Sequence, residues 1–164
     1  MTKINAELIR LNKDMPLPTY ATEGSAALDL YANIPHDIVL FPGEKLLIGT
    51  GYKIWHKNPA YAGLVLPRSG AGSGGLVLKN IVGLIDSDYQ GELLVNVWNN
   101  NSSGTITVPT YKSSKAFAQY VMVPVIQMYF EEVESFTEGT VRGAGGFGST
   151  DLKVNEAGRL EIKE

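Results

Sequence analysis

The sequence contains no cysteine, which excludes disulfide bonds, thiolate metal sites and cysteine nucleophiles. Histidine is almost as scarce, because only His36 and His56 occur and they lie far apart in the chain. A Ser–His–Asp triad or a histidine-based zinc site therefore has little support. We interpret His56, which follows Trp55, as a surface or packing residue.

Long apolar runs and clusters of basic residues are also missing from the sequence. The apolar stretches are far shorter than the roughly 18 residues that a membrane-spanning helix needs, and the charged N-terminus shows no signal peptide. Lysine and arginine are scattered and the net charge is -3, whereas proteins that bind nucleic-acid backbones usually carry a basic face. We therefore expect a cytoplasmic protein with no nucleic-acid partner and no membrane contact.

What the chain has instead is closely spaced glycine and proline, with 18 Gly and 8 Pro among 164 residues. Valine, isoleucine, leucine and tyrosine fill the gaps, a pattern that favours short strands over helices. Strands at spacings of about ten residues predict an all-β fold, a jelly-roll-like barrel or sandwich, with one short helical turn around 111–116. The predicted strands are 4–11, 27–32, 37–41, 45–49, 51–55, 61–66, 76–79, 81–85, 92–98, 104–108, 117–123 and 125–133.

Composition divides the chain into a β-barrel domain at 1–141 and a flexible, glycine-rich C-terminal arm and tail at 142–164. The arm begins RGAGGFGSTD. Segments so rich in glycine cost conformational entropy to order, so they commonly stay mobile until a ligand binds. We therefore interpret the arm as a lid, and the residues after it as a tail or one added strand.

The stretch from 80 to 100, NIVGLIDSDYQGELLVNVWNN, predicts two strands joined by a polar tip. The tip carries three carboxylates and a tyrosine, whereas a tight turn needs only Gly91 and one aspartate. Asp86, where the first strand meets the tip, is either a turn former or a general base for water. Tyr89 is either an exposed turn residue or a platform on which a sugar or base stacks.

Two glycine-rich segments have the composition of anion-binding turns. One is PRSGAGSGG, with Arg68, Ser69 and Gly70, and the other begins at Arg142 and contains Phe147 between glycines. Backbone N–H groups in such turns, together with arginine and hydroxyl side chains, bind phosphate, although neither segment matches the P-loop pattern. Either segment alone is more often a plain connection between strands, but two in one small β domain make phosphate binding equally plausible.

Asp29 lies in the middle of the predicted strand ALDLYA, between apolar neighbours. A buried aspartate must be paired or must coordinate a cation. Pairing with Arg68 would satisfy it, and that role would be purely structural. Carboxylates also recruit magnesium through water, and magnesium is the usual partner of substrate phosphates.

Five motifs, in order along the chain, resemble those of the trimeric dUTPase (deoxyuridine triphosphate nucleotidohydrolase) family. They are AALDLYA, PRSGAG, NIVGLIDSDYQGE, AQYVMVP and RGAGGFGST. The resemblance implies a jelly-roll fold, a homotrimer with active sites shared between subunits, and Mg²⁺ as cofactor. It also implies hydrolysis of dUTP to dUMP and pyrophosphate, which limits uracil in DNA and supplies dUMP for dTMP synthesis.

The same resemblance implies roles for individual residues. Asp86 would be the base that activates water for attack on the α-phosphorus, and Tyr89 would pack on the deoxyribose and leave no room for a 2′-hydroxyl. Asp29 would orient Arg68 and hold hydrated Mg²⁺ through water. The residues implied to bind substrate are Arg68, Ser69, Gly70 and Gln119 at the phosphates, Asn80, Gly83, Leu84, Ile85, Tyr89 and Leu94 at the nucleoside, and Arg142, Phe147 and Ser149 in the arm that closes over it.

The sequence departs from the family pattern at three places, and two other functions stay open. Residues 72–75 replace the usual Lys-His-Gly, 114–117 lack a usual arginine, and Asp151 stands where glycine is usual. A dCTP deaminase, or a bifunctional deaminase–dUTPase, shares the fold, although GLIDSDY and the aromatic residue in the arm favour a plain dUTPase. A jelly-roll binding or regulatory protein would keep the pocket without turnover.

Overall fold

The computed structural model describes residues 3–146, 152–154 and 160–162, and its regular secondary structure is mostly β. Contacts divide the chain into two compact units, Met1–Gln127 and Met128–Glu164. The domain boundary that composition predicts at 141/142 stays a prediction. The strands are β1 Glu7–Arg10, β2 Leu28–Leu30, β3 Ile38–Leu40, β4 Lys45–Gly49, β5 Tyr52–Trp55, β6 Tyr61–Pro67, β7 Leu76–Leu78, β8 Gly83–Ile85, β9 Leu94–Asn99, β10 Ile106–Val108 and β11 Ala118–Pro124 in the first unit, and β12 Leu152–Val154 and β13 Leu160–Ile162 in the second.

The strands of the first unit form antiparallel sheets. The largest sheet has the order β2–β11–β6–β8, a second has the order β4–β9–β7, and β1 pairs with β5 and β3 with β10. In the largest sheet, Asp29 lies opposite Gln119, which lies opposite Leu66. On the other edge of β6, Gly63 lies opposite Ile85. This register decides which functional side chains are neighbours.

Both of the larger sheets contribute alternate side chains to one hydrophobic core. Val95 and Val97 of β9 are each 1% exposed, whereas Leu94, Asn96 and Trp98, which alternate with them, are less buried, and this is the period of two that a strand imposes. Leu30, Val65 and Ala118 of the largest sheet join the same cluster. Burying an aliphatic side chain of this kind contributes roughly 1.5–3 kcal/mol. The predicted all-β, jelly-roll-like fold is confirmed.

The packing of β6 against β11 depends on a glycine. A Cβ atom at Gly63 would overlap the hydroxyl of Tyr120, which is 2% exposed and has no hydrogen-bond partner among the described residues. Burial raises the pKa of Tyr120 to about 12. His56 is likewise buried, and neither of its ring nitrogens has a partner in the described part of the chain. His56 is therefore a packing residue.

Short helical turns confirm one local prediction and correct another. The turn expected near 111–116 is present as a 3₁₀ turn at Tyr111–Ser113. The glycine-rich stretch after Arg68, expected as a loop, forms a short helix, α1 (Ser69–Ser73). Backbone bonds from Gly72 to Arg68 and from Gly74 to Gly70 close this helix. Among the residues described, no helix has the length and apolarity needed to cross a bilayer.

The strand predicted at 125–133 is wrong for this chain taken alone. β11 ends at Pro124, and although the Val125 N–H still donates to the Ala60 carbonyl at 2.8 Å, no described strand pairs with the residues that follow up to 133. A strand requires a neighbour for its backbone hydrogen bonds, and the sequence pattern cannot supply one. The residues after the arm, interpreted as a tail or one added strand, contain two short paired strands, β12 and β13.

Candidate active site

Most of the residues predicted to bind phosphate line one cavity of about 350 Å³ on the largest sheet. The register explains why they meet, because Asp29 on β2 and Leu66 on β6 flank Gln119 on β11. Arg68 and Ser69 follow the end of β6 and reach the same cavity. Three strands that are far apart in the sequence therefore build this part of the site.

An ion pair organises the polar side of the cavity. Arg68 Nε lies 3.0 Å from Asp29 Oδ1, which confirms the pairing suggested by the sequence. The Asp29 side chain is 22% exposed and that of Arg68 is 43% exposed, so the pair faces the cavity and not the core. Because this contact engages Nε, the two terminal nitrogens of the guanidinium group remain to bind an anion.

The amide of Gln119 is also fixed in place. Its Nε2 donates to the Pro67 carbonyl at 2.9 Å, which leaves the other N–H of the amide and its oxygen for a ligand. Ser69 adds a hydroxyl at the start of α1. Gly70, also predicted to bind phosphate, is the next residue of α1 and does not line the cavity.

The cavity contains residues that the sequence reasoning missed. Ser25 Oγ accepts a hydrogen bond from the Thr22 N–H at 3.0 Å and lies 2.9 Å from Thr22 Oγ1, which folds the turn before β2. The available signal was a serine in a run of small residues, GSAA, directly before the strand that carries Asp29. The further lining residues are Ala21, Ser25, Ala26, Ala27, Leu66 and Val121.

The residues around the polar tip form a second group, next to the other edge of β6. The strands that flank the tip do not pair with each other, because β8 pairs with β6 whereas β9 pairs with β4 and β7. The segment from Asn80 to Leu94, which we call the hairpin, therefore connects two sheets. β8 (Gly83–Ile85) pairs with Gly63–Val65, and the exposed Asp86 follows it at the start of the tip. Leu84 is 63% exposed and Leu94 is 45% exposed, which is unusual for leucines in strands that flank a core. β8 and the start of β9, which lie before and after the exposed Asp86 in the chain, therefore each present an apolar side chain to solvent.

The base of the hairpin is strained at Ile81, whose φ is +67°. A β-branched residue rarely adopts this left-handed conformation, which costs roughly 1–3 kcal/mol and is found most often at functional sites. Hydrogen bonds hold the turn, from the Ile81 N–H to the Leu78 carbonyl at 2.9 Å and from Asn80 Nδ2 to the Val82 carbonyl at 3.2 Å. These hydrogen bonds thus hold the strained backbone around Asn80 in place.

Tyr89 is folded back over its own turn. Its hydroxyl donates to the Glu92 carbonyl at 2.8 Å, and a Cβ atom at Gly91 would overlap that hydroxyl and the ring. Gly91 lies in the turn without a positive φ, so the backbone conformation alone does not require glycine there. Glycine is needed there to leave room for the Tyr89 side chain, which is 40% exposed and held in one orientation.

The two groups of residues lie far apart on one chain. Asp86 comes one position after Ile85, so extending the register places it level with Ala62. Arg68 is six positions further along, and at about 3.3 Å per residue the separation is about 20 Å. No hairpin residue of the described chain lines the phosphate cavity. A single chain therefore does not assemble the predicted site.

The predicted residues of the arm belong to the second unit. Arg142 Nε donates to the Gly145 carbonyl at 2.9 Å, and the Gly143 N–H donates to the Thr140 carbonyl at 3.1 Å, so this segment is a local turn. Phe147 and Ser149 lie outside the described residues, and their roles stay predictions.

The cavity fits a hydrated magnesium ion better than a metal held by protein ligands alone. No group of three or more His, Asp or Glu side chains suited to a metal occurs among the described residues. Asp29 does place one carboxylate in the cavity, with Oδ1 paired to Arg68. Magnesium commonly keeps several waters and is bound by one or two carboxylates plus substrate phosphates, so a single carboxylate is an adequate protein contribution.

Comparison with known proteins gives a consistent result. The dUTPase family model matches residues 13–151. The deoxyuridine 5′-triphosphate nucleotidohydrolase of Acinetobacter baumannii is 52% identical over 151 residues, covering 90% of this chain and 97% of that protein. Its counterpart from Pseudomonas aeruginosa is 54% identical over 152 residues, with the same coverage. The dUTPase of Staphylococcus bacteriophage 80alpha, solved with dUPNHPP, superposes with a TM-score of 0.75 at 26% identity, covering 88% of this chain and 97% of that one.

Proposed function

Because this chain belongs to the dUTPase family and is a deoxyuridine 5′-triphosphate nucleotidohydrolase, we propose that its two groups of residues bind opposite ends of dUTP. The enzyme hydrolyses dUTP to dUMP and pyrophosphate. The cavity of Arg68, Ser69 and Gln119 supplies a cation, a hydroxyl and an oriented amide for the triphosphate. The hairpin from Asn80 to Leu94 receives the nucleoside, with backbone groups of Gly83–Ile85 at the uracil edge.

Asp86 is the general base of the reaction. Its carboxylate is exposed at the start of the tip, where water reaches it. It accepts a proton from a water molecule while the water oxygen attacks the α-phosphorus, and the bond from that phosphorus to the bridging oxygen of pyrophosphate breaks. A positioned carboxylate of this kind contributes roughly 10²–10⁴-fold to a rate. Tyr89 packs against the deoxyribose and excludes a 2′-hydroxyl.

Arg68 and Asp29 prepare the leaving group. The guanidinium group of Arg68 neutralises charge on the phosphates, and Asp29 holds that group in place and would hold hydrated Mg²⁺ through water. Magnesium, when bound, supplies further neutralisation of the phosphate oxygens. Charge neutralisation favours departure of pyrophosphate without any covalent intermediate on the protein.

The complete site is shared between copies of the chain, in a homotrimer. The proposal rests on the strand register, which implies a separation of about 20 Å between Asp86 and Arg68 within one chain, although Asp86 must reach the α-phosphorus while Arg68 binds the phosphates. Exposed apolar side chains support it, since Ile126 is 92% exposed, Tyr129 97% and Phe130 77%, and such side chains mark association surfaces. The arm with Arg142, Phe147 and Ser149 closes over the bound nucleotide.

A complementation experiment tests the shared site. At dUTP concentrations below the wild-type KM, Asp86→Asn and Arg68→Ala chains are each expected to be nearly inactive, but when they are denatured and refolded together at equal amounts, about a quarter of the sites combine an intact cavity with an intact hairpin. We therefore expect about a quarter of the wild-type rate of pyrophosphate release. The matched control mixes the two variants after separate refolding. No recovery in co-refolded trimers would refute sharing, and recovery in a monomer by mass measurement would refute the trimer.

A further inference from the structure

The side chain of Glu92 fastens the end of the hairpin tip to a distant turn of the barrel. Glu92 Oε1 accepts a hydrogen bond from the Gly51 N–H at 2.8 Å, across 41 residues of sequence. Gly51 lies between β4 and β5, and its φ of +73° turns this N–H toward the carboxylate. The contact is part-buried, so loss of the acceptor would leave a backbone donor unsatisfied.

The turn that receives Glu92 is shaped for it. A Cβ atom at Gly49 would overlap Glu92 Oε1, so only glycine leaves space for the carboxylate. At Gly51 the positive φ itself favours glycine, and an added Cβ would also come within 3.2 Å of the Asn33 side chain. Both glycines therefore support the contact between Glu92 and Gly51. Gly49 leaves space for the carboxylate, and Gly51 allows the backbone conformation that the contact requires.

Backbone hydrogen bonds make this turn a rigid base. The Thr50 N–H donates to the Leu93 carbonyl at 3.0 Å, and the Leu93 N–H donates to the Tyr52 carbonyl at 2.9 Å. Thr50, Leu93 and Tyr52 are all fully buried. The residue directly after Glu92 is thus tied to the core, and Glu92 is the last residue of the tip.

The main chain of Glu92 in turn holds Tyr89. Its carbonyl accepts the Tyr89 hydroxyl at 2.8 Å, so the ring is oriented by the same residue whose side chain is clamped by Gly51. From this arrangement we propose that Glu92 is a positioning residue, which sets the Tyr89 ring at the distance from the sugar that rejects a 2′-hydroxyl. The inference rests on the role proposed above for Tyr89.

The test compares hydrolysis of dUTP with that of UTP in variants that change reach and charge separately. Glu92→Ala removes the acceptor, Glu92→Asp keeps the charge but shortens the side chain, and Glu92→Gln keeps an oxygen at the same distance. We expect the ratio of kcat/KM for dUTP over UTP to fall on the order of tenfold in the first two variants and to be largely kept in the third. Gly49→Ala, which blocks the carboxylate from the other side, is expected to match Glu92→Ala.

Glu44 provides a matched control, because its Oε2 accepts the Phe41 N–H at 2.7 Å in an exposed turn outside the hairpin. Glu44→Ala is expected to lower the urea midpoint of unfolding without changing the ratio of kcat/KM for dUTP over UTP.

An unchanged ratio in Glu92→Ala, or an equal loss in Glu92→Gln, would overturn the proposal. If Glu92→Ala does not fold, Glu92→Asp and Glu92→Gln still show whether the length or the charge of the Glu92 side chain sets the ratio. Tyr89→Leu separates the two levels of inference, since an unchanged ratio in that variant would refute the role of Tyr89 itself.

Discussion

The phosphate cavity and the hairpin tip both adjoin the largest sheet but are positioned by different kinds of contact. In the cavity, Asp29 and Gln119 are placed by strand register, and their neighbours fix each side chain through an ion pair and an amide hydrogen bond. At the tip, Tyr89 is placed by a local fold-back that a glycine permits. One half is set by long-range pairing and the other by the shape of a turn.

This difference assigns distinct tasks to the two halves. A cation and amide held by neighbouring strands suit a triphosphate, whose charge must be bound in both ground state and transition state. A tip whose ring orientation depends on a few contacts suits discrimination between sugars, where small displacements matter. Substitutions in the hairpin should therefore change kcat or specificity, whereas those in the cavity should change binding.

The largest expected effect comes from the hairpin. In Asp86→Asn the carboxylate that accepts the proton of water is lost while size and shape are retained, so we expect kcat to fall by about 10³-fold. Affinity for dUTP, measured by calorimetry with magnesium, should stay within a few-fold of wild type, because the cavity is intact. A variant that turns over normally would remove Asp86 from the mechanism, and one that loses affinity instead would contradict the division of tasks.

The cavity is tested by Arg68, with a smaller expected effect of the opposite kind. Arg68→Ala removes the guanidinium group and leaves Asp29 without its partner, so kcat/KM should fall by roughly 10²-fold, chiefly through a higher KM. Arg68→Lys should recover only part of this, because lysine lacks the planar fork that contacts a carboxylate and a phosphate together. A drop confined to kcat, measured in steady-state assays over a range of dUTP, would contradict the assignment.

The two halves also differ in how far the sequence predicts them. The tip was visible in the sequence because Asp86 and Tyr89 crowd a segment where a turn needs neither. The pairing of Asp29 with Arg68 was predictable because a charge in an apolar strand requires a partner. Ser25 was missed because its place in the cavity depends on a turn stabilised by Thr22. Contacts that depend on strand register or on turns far apart in the chain cannot be predicted from the local sequence pattern.

The same limit applies to a segment that has no partner strand among the described residues, and to a loop that forms a helical turn. Residues 125–133 have the composition of a strand, yet the described residues provide no strand to pair with them. The segment PRSGAGSGG was expected as a loop because five of its residues disfavour helix or strand, but one helical turn forms where the chain leaves β6. In both cases the backbone hydrogen bonds that are available outweigh intrinsic propensity.

The smallest expected effect concerns Tyr120, which lies under the stretch of β6 that separates the cavity from the hairpin. Like Tyr89, its hydroxyl lies over a glycine, but it is buried and has no partner among the described residues, whereas Tyr89 is exposed and bonded. Removing an unsatisfied hydroxyl is nearly neutral or stabilising. Tyr120→Phe should therefore raise the free energy of unfolding at pH 7 by about 1 kcal/mol and leave kcat unchanged.

Alkaline pH gives this last prediction a sharper test. An unfolded tyrosine ionises near pH 10, whereas burial raises the pKa of Tyr120 to about 12, so its contribution to stability is full below pH 10 and is lost as the pH rises toward 12. The loss amounts to about 2.7 kcal/mol for a difference of two pKa units. Tyr52, whose pKa burial also raises to about 12, contributes equally in both proteins. Urea unfolding at pH 7 and pH 11 should therefore show a weaker pH dependence in Tyr120→Phe. If the variant is instead less stable than wild type at pH 7, the hydroxyl is satisfied by a buried water, and the contrast between the two tyrosines fails.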